Sequence, residues 1–418
     1  MKGAEVIAVG SELLGAARGE TNSLYLAGAL ARLGIPLLRK SVLPDRCEAL
    51  AEGLAAACRR TEVVLCTGGL GPTEDDLTVP AAALALGYRL VLDPGAELRL
   101  RALYRQRGRR LHPGDLRQAW RLQPARWLPN TVGTALGQWC PTPSGCLILL
   151  PGPPRELQPM FAAQVRRRLR RVSPPGAIAT RVLSVAGLPE SEVDHRVAPL
   201  YRPVANPETT ILAVAAPHVE LHFRARAASP ARAQALADAL ARRIERRLGA
   251  AVFSRNGQTL AAVVGDMLSA RRETVAVAES CTGGLLAAAL TSESGSSGFF
   301  RGGVVCYHNQ LKIELAGVSA AALSSHGAVS ATVARQLARG VRDRLGADWG
   351  IGITGIAGPT GARPGKPVGT VLIGICGPGS SGRPRARKWH FHGDRARIRA
   401  QAVHAALNEL RLWLQTLV

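Results

Sequence analysis

Long apolar segments are missing from this sequence of 418 residues. Apolar residues make up 47% of the chain, yet no run of them is long enough to span a bilayer. Residues 1–10 lead directly into a strand-like segment and lack the long apolar stretch and the small-residue cleavage site of a secretory signal. We therefore expect a soluble, cytoplasmic protein with no membrane partner.

Paired cysteines are missing too. The eight cysteines form no C-x-x-C pair, and most of them lie in apolar segments. A zinc site and a disulfide framework are therefore both disfavoured. Reduced thiols packed in the core are expected instead, because an unpaired cysteine behaves as a small apolar residue.

Lysine is scarce, and the positive charge comes mostly from arginine. Lysine and arginine total 53 against 30 aspartate and glutamate residues, which gives a net charge of +23. Such a charge suits an anionic partner. Because no motif combines basic and aromatic residues, charge alone does not favour nucleic acid, and anionic small-molecule substrates explain the charge equally well.

The order of the predicted elements divides the chain into three parts, which its length allows. Residues 1–173 alternate strand and helix patterns, which favours a three-layer α/β domain with a parallel sheet between helices. Residues 177–254 indicate a small α+β domain. Residues 256–418 alternate again and predict a second α/β domain. The Ser-Pro-Pro-Gly stretch at residues 173–176 is the predicted linker.

The first candidate site comprises three polar segments that each follow a predicted strand, at residues 10–12, 67–78 and 150–156. Thr21 and Asn22, which open the helix after the first segment, belong to it as well. The middle segment, TGGLGPTEDDLT, has glycines that allow a phosphate to approach the backbone and carboxylates that can hold Mg²⁺ against it. We expect Asp76 as the inward metal ligand and Asp75 as the next, because neighbouring side chains of an extended segment point to opposite faces. Helix capping is the alternative role for both. The candidate ligand-binding residues of this segment are Gly68, Gly69, Gly71 and Thr73.

The second candidate site is the stretch AESCTGG at residues 278–284. It follows an apolar run that predicts a buried strand and precedes an alanine- and leucine-rich run that predicts a helix. The first N–H groups of a helix have no partner within it and can hold an oxyanion or a phosphate. We therefore expect a nucleophile in this turn, with the oxyanion on backbone N–H groups near residues 281–283.

Ser280 and Cys281 are both candidate nucleophiles. A serine hydroxyl needs a base, and Lys312 is the candidate if burial lowers its pKa. Tyr307 is placed to relay or donate a proton. Cys281 is the better nucleophile by itself, and serine is also a common helix N-cap, so these residues alone leave the choice open.

The N-terminal motifs resemble the CinA family (competence/damage-inducible protein A). GSELL, TGGLGPTEDDLT and LPGPPREL match its N-terminal half, which has the molybdopterin-binding fold. The resemblance implies a nucleotide-diphosphate or pterin-like ligand, Mg²⁺ or another divalent metal, and ADP-ribose pyrophosphatase activity. The chain departs from the family at Glu20, where the family usually has the first asparagine of an Asn-Thr-Asn triplet.

The C-terminal motifs AESCTGG, FFRGGVVCYHNQLK, HGAVS, ITGIAGPTG and KPVGTV resemble the C-terminal domain of the same family, which is similar to nicotinamide mononucleotide deamidases. The resemblance implies release of ammonia from nicotinamide mononucleotide without a metal, and a homodimer. It implies that Ser280 is the nucleophile and that Tyr307 and Lys312 assist it. His308 stands where the family usually has serine. The implied substrate-binding residues are Cys281, Thr282, Gly283, Gly284, Thr354, Gly355, Arg395 and Arg399.

Two other functions stay open from the sequence. One is an accessory role in DNA uptake or recombination, which the net charge of +23 supports. The other is a molybdopterin-binding module without catalysis.

Overall fold

The computed structural model describes residues 3–15, 19–172, 176–214, 217–378 and 383–416. Of the predicted linker, residues 173–175 lie outside the described residues. The chain forms two compact units, Met1–Ile178 with Ala227–Pro230 and Ala179–Arg226 with Ala231–Val418. Within the described ranges, no helix is long and apolar enough to cross a membrane.

The first unit alternates strands and helices. Its strands are β1 (Ala4–Val9), β2 (Leu37–Leu43), β3 (Val63–Thr67), β4 (Arg89–Leu92), β5 (Trp120–Gln123), β6 (Arg126–Leu128), β7 (Gly137–Thr142) and β8 (Gly145–Leu150). Its helices are α1 (Asn22–Arg32), α2 (Cys47–Arg60), α3 (Thr78–Leu86), α4 (Pro94–Gln106), α5 (Pro154–Met160) and α6 (Arg166–Val172). A π-helical turn, Phe161–Val165, joins α5 to α6.

Six of these strands form one sheet in the order β2-β1-β3-β8-β7-β6. Strands β2, β1, β3 and β8 run parallel, whereas β7 and β6 are antiparallel. The prediction of a wholly parallel sheet is wrong at this edge, because two residues between β7 and β8 allow only a hairpin. Val6 and Leu65 face one apolar cluster and Ile7 and Val64 face another, so the sheet lies between two helical layers.

The middle part is a small α+β domain. It contains β9 (Ala177–Val185), α7 (Glu190–Tyr201), β10 (Glu208–Ala213), β11 (Val219–Ala227), α8 (Pro230–Leu248) and β12 (Val252–Ser254). The sheet order is β10-β11-β9-β12. Apolar side chains of both helices, including Val193 and Ile244, share one core with Leu183 and Phe223 of the sheet.

The C-terminal part is the second α/β domain. Its elements are α9 (Leu260–Arg271), β13 (Val275–Glu279), α10 (Leu285–Thr291), β14 (Phe300–Val305), α11 (Asn309–Ala316), α12 (Ala320–His326), α13 (Ala331–Leu345), β15 (Trp349–Gly355), β16 (Thr370–Cys376), β17 (Arg385–His390) and α14 (Arg395–Gln415). The sheet order is β14-β13-β15-β16-β17. Val277 faces the core beneath α9 and α14, and Ala278 faces the core beneath α11 and α13.

Strand β13 is the interior strand that positions the second candidate site. It pairs in parallel with β14 on one side and with β15 on the other. The carboxyl ends of these three strands therefore meet at one edge, where open α/β sheets bind ligands. Strands β16 and β17 are antiparallel to their neighbours.

Candidate functional site

The turn after β13 is held by Glu279. Its carboxylate is 1% exposed and accepts hydrogen bonds from the backbone N–H groups of Gly284 (3.1 Å), Leu286 (3.0 Å) and Ala287 (2.8 Å). These N–H groups have no partner within α10, and a negative charge at a helix start is favourable. The anion site predicted at the start of this helix is thus filled by the protein's own carboxylate.

Two backbone donors nevertheless remain beside Ser280, which is 8% exposed. The Ser280 N–H donates to the Ile353 oxygen at 3.0 Å, and the Gly283 N–H donates to the Ser280 oxygen at 3.1 Å. In the part of the chain that the structure describes, the Thr282 N–H has no partner and the Cys281 N–H has none other than its own thiol. These two groups are the available donors for an oxyanion that forms at Ser280.

Lys312 is 1% exposed, on α11. Its Nζ donates to the backbone oxygens of Cys306 and Tyr307, each at 2.9 Å. The Cys306 N–H in turn donates to the Glu279 oxygen at 2.8 Å, so the ammonium is held next to the strand end that carries Ser280. Burial lowers the pKa of Lys312 below its ordinary value, because desolvation disfavours the charged amine.

His308 is exposed and caps the helix that carries Lys312. Its Nδ1 accepts a hydrogen bond from the Gln310 N–H at 3.3 Å. Serine, the residue usual in the family, is also a common N-cap. The substitution therefore changes the side chain but retains the capping of α11.

Tyr307 and the first turns of α14 lie close together. The Tyr307 hydroxyl, on a side chain that is 57% exposed, accepts from Arg395 Nη2 at 3.0 Å. Arg395 Nη1 also donates to the Gly358 oxygen at 2.8 Å. Arg399 donates from Nε and Nη2 to the Thr282 oxygen at 3.2 and 2.6 Å. Helix α14 thus contacts both Tyr307 and the turn of Ser280.

The other predicted residues of this site are closely packed. Cys281 is 6% exposed, and burial raises its pKa to about 12, so it is a neutral thiol near pH 7. The Thr354 hydroxyl donates to the Ala328 oxygen at 2.8 Å. A Cβ on Gly355 would lie 2.8 Å from the Thr370 oxygen. The Thr282 hydroxyl is buried and finds no hydrogen-bond partner among the described residues.

The first candidate site is a cleft of about 770 Å³ at the ends of β1, β3 and β8. Gly68 and Gly69 line it with φ angles of +104° and +65°. A Cβ on Gly68 would lie 2.4 Å from the Val9 oxygen, and one on Gly69 would lie 2.3 Å from the Thr78 hydroxyl. Both positions therefore require glycine, which brings the backbone to the cleft surface.

Asn22 joins the loops of this cleft. Its Nδ2 donates to the Thr67 hydroxyl at 3.0 Å and to the Gly152 oxygen at 2.6 Å. Its Oδ1 is buried and accepts no hydrogen bond from the described residues. Glu20, the departure from the family triplet, accepts from the Ser23 N–H at 2.8 Å and thereby caps α1. The sequence places Asn22 at this site, at the start of the helix after the first segment, but did not predict it as a ligand-binding residue.

The carboxylates of the cleft do not form a metal site. Asp75 and Asp76 both line it, together with Glu12, Glu20 and Asp45. Asp76 Oδ2 accepts from the N–H of Thr73 at 2.9 Å and from its hydroxyl, and lies against Gly71, so these residues hold each other. No group of three histidine, cysteine, aspartate or glutamate residues within the described ranges could hold a metal ion. The residues present therefore do not fit Mg²⁺ by themselves.

Three protein-family models match the chain. They are the probable molybdopterin binding domain at residues 5–171, the damage-inducible protein CinA KH domain at 180–254 and the CinA C-terminal domain at 257–414. The crystal structure of the competence damage-inducible protein A from Klebsiella pneumoniae is 36% identical in sequence, with a TM-score of 0.36. The match covers 37% of this chain and 95% of that chain.

Two relatives match almost from end to end. A CinA-like protein of Solibacter usitatus is 43% identical over 408 residues, which are 98% of this chain and 97% of that protein. A CinA-like protein of Koribacter versatilis is 44% identical over 412 residues, which are 98% and 99% of the two chains. Over its whole length, therefore, this chain belongs to the CinA-like proteins of the competence/damage-inducible family.

Proposed function

We propose that the C-terminal domain hydrolyses the carboxamide of nicotinamide mononucleotide to nicotinate mononucleotide and ammonia. The observation that carries this proposal is the environment of Lys312, a buried lysine of lowered pKa held at the strand end next to Ser280. A lysine of lowered pKa can act as a base near neutral pH. The family resemblance supplies the substrate.

The proposed reaction assigns a role to each of these residues. Neutral Lys312 accepts the proton of Ser280 Oγ as this oxygen attacks the carboxamide carbon. The N–H groups of Cys281 and Thr282 stabilise the oxyanion, and loss of one such donor typically costs about 10²–10³ in rate. Lys312 then protonates the leaving nitrogen, which departs as ammonia. Water, deprotonated by Lys312, then attacks the acyl carbon. The bond from this carbon to Ser280 Oγ breaks, Lys312 returns the proton to Oγ, and nicotinate mononucleotide is released.

We assign the phosphate of the substrate to Arg395 and Arg399. Both arginines lie in the first turns of α14, and their hydrogen bonds fix them against Tyr307 and the turn of Ser280. A guanidinium group binds phosphate with two parallel N–H donors, which also sets the orientation of the ligand. Tyr307 is placed by Arg395 to donate a hydrogen bond or a proton to the substrate.

The test is ammonia release from nicotinamide mononucleotide by the full chain. We expect turnover by the unaltered protein, a loss of at least about 10³-fold in Ser280→Ala and retained activity in Cys281→Ala. Ser280 and Cys281 are neighbours in one turn, so Cys281→Ala controls for its disturbance. Loss of activity in Cys281→Ala alone would overturn the serine assignment. Absence of ammonia from the unaltered protein would overturn the proposed function.

For the N-terminal cleft we propose binding of a nucleotide-diphosphate or pterin-like ligand. The buried Oδ1 of Asn22 has no partner among the described residues, and a ring N–H of a base or pterin would satisfy it. ADP-ribose hydrolysis stays a prediction, because the described carboxylates that line the cleft form no metal site of their own. Release of AMP from ADP-ribose with Mg²⁺, compared with EDTA, tests it. The homodimer also stays a prediction, which light scattering tests.

A further inference from the structure

The first unit has a second concave surface, which we call the arginine groove. It has a volume of about 750 Å³ and shares no lining residue with the N-terminal cleft. It lies between α1, the π-helical turn, α6 and the segments at residues 176–178 and 228–230. Neither the family resemblance nor the proposed deamidation uses this surface.

Three arginines, Arg32, Arg166 and Arg170, converge on the arginine groove. Arg166 and Arg170 are four residues apart on α6 and therefore lie on the same side of it. Arg32 is in the last turn of α1, where the helix dipole favours a cation. All three are exposed, and none makes a side-chain hydrogen bond or ion pair within the part of the chain that the structure describes.

No acidic side chain is among the described residues that line the arginine groove. Its field is therefore of one sign, and a concave wall of low dielectric strengthens the attraction for an anion. Unpaired guanidinium groups retain all their N–H donors, which suit phosphate oxygens. The charge pattern therefore points to a ligand with several phosphates.

The remaining wall of the arginine groove is apolar and aromatic. Tyr25 is half-buried in it, with its ring edge-on to Phe161 at a centroid distance of 6.0 Å. The Tyr25 hydroxyl donates to the Gln158 oxygen at 3.3 Å, which fixes the ring. Leu33 and Ile178 extend this apolar surface. Such a wall suits a base, since every nucleobase has an apolar π-face.

We propose that the arginine groove binds the phosphate chain and base of a nucleotide, with phosphates on Arg32, Arg166 and Arg170 and the base against Tyr25. Its volume falls in the range of about 300–1,000 Å³ that is usual for sites of small ligands and cofactors. A free nucleoside diphosphate and a segment of single-stranded nucleic acid offer the same chemistry. Measuring the binding of each one separately shows which of the two the groove prefers.

The experiment measures binding of ADP, and of a single-stranded oligonucleotide of about eight nucleotides, to the full chain. The groove variant is Arg32→Gln/Arg166→Gln/Arg170→Gln. It should weaken binding of at least one probe by about tenfold at about 50 mM salt. For the oligonucleotide, the plot of log affinity against log salt should become less steep by about 2 units of slope, because each of the three lost phosphate contacts contributes about 0.7.

A matched control is Arg59→Gln/Arg243→Gln/Arg246→Gln, which removes the same charge from three exposed arginines elsewhere. It should keep both affinities within about twofold, since screened distant charges contribute little. Tyr25→Leu should weaken ADP but leave inorganic pyrophosphate unchanged. Equal losses in the groove and control variants would overturn the proposal. The proposal would also be overturned if the unaltered protein bound no oligonucleotide and the groove variant bound ADP as tightly as the unaltered protein.

Failure of this proposal is separate from failure of the deamidase. The groove residues are in the first unit, whereas Ser280 and Lys312 are in the second. The groove variant should therefore release ammonia at the rate of the unaltered protein, which also shows that its second unit is folded. Thermal unfolding of both triple variants checks the fold of the first unit.

Discussion

The Glu279 carboxylate accepts a hydrogen bond from the backbone N–H of Ala287 at 2.8 Å, across the turn that carries Ser280. The same carboxylate binds two further N–H groups of that turn and helix, and it is almost inaccessible to solvent. The backbone oxygen of Glu279 accepts from Cys306, whose own oxygen holds Lys312. One residue therefore fixes the turn that carries Ser280 and is linked through Cys306 to Lys312.

Glu279→Gln should destabilise the C-terminal domain. A glutamine has one acceptor oxygen and an NH₂ group that cannot accept, so at least one of the three buried N–H groups loses its partner. The expected cost is about 1–3 kcal/mol, which corresponds to a fall in Tm of several degrees, at about 2–4 °C per kcal/mol. Thermal unfolding measures it.

The control for this change is Glu314→Gln. Glu314 is exposed and, among the described residues, accepts only from the Gln310 side chain. Its replacement should alter the free energy of unfolding by less than about 0.5 kcal/mol. Equal shifts in Tm for the two variants would contradict the role given to Glu279.

Deamidation should rise with pH through the pKa of Lys312. Burial lowers that pKa, so the neutral amine that acts as base is populated at a lower pH than for a free lysine. The profile of kcat/KM against pH should therefore show an acid limb whose midpoint lies below 10.5.

Lys312→Arg keeps the charge and the donors but cannot lose its proton, so it should be inactive at every pH. Lys388→Arg, on an exposed strand, is the control. Activity retained in Lys312→Arg would exclude lysine as the base.

The sequence predicted β13 and the helix after it because both leave clear patterns. The strand is a run of fully buried residues, Val275–Glu279, and the helix is rich in alanine and leucine. Strands β4 to β6 were not predicted. They have three or four residues each and include exposed arginines such as Arg89 and Arg126, so they lack the apolar run that identifies a buried strand.

The partner of a carboxylate could not be predicted from the sequence. The sequence indicated Ser280 as a site residue but not its neighbour Glu279. Nothing in the local pattern shows that the Glu279 side chain turns towards N–H groups five to eight residues ahead. Asp76 lines the cleft as expected, but the sequence did not show that its carboxylate accepts from the Thr73 N–H. In both cases the backbone supplies the donors, and backbone geometry is set by the tertiary fold.

Only one thiol should react quickly in the native protein. Of the eight cysteines, Cys47 is half-buried and the others are buried. Burial raises the pKa of Cys66 and of Cys281 to about 12, so few thiolates exist near neutral pH. A thiol reagent should therefore modify about one equivalent rapidly, with all eight released on unfolding. Cys47→Ser should abolish the rapid phase. Fast modification that persists in this variant would contradict the burial of the other seven thiols.

Arg395→Gln separates phosphate binding from the positioning of Tyr307. If Arg395 binds the phosphate of nicotinamide mononucleotide, its loss should raise KM for that substrate by about 10–100-fold, as expected for a charge-assisted contact. Nicotinamide riboside has the same carboxamide but no phosphate, so its kcat/KM should hardly change. If Arg395 instead acts through its hydrogen bond to the Tyr307 hydroxyl, both substrates should lose kcat/KM equally.

Tyr307→Phe removes that hydrogen bond but keeps the arginine, and is therefore the matched variant. An equal loss for both substrates in Arg395→Gln, matched by Tyr307→Phe, would remove Arg395 from the phosphate site and leave Arg399 as the remaining candidate.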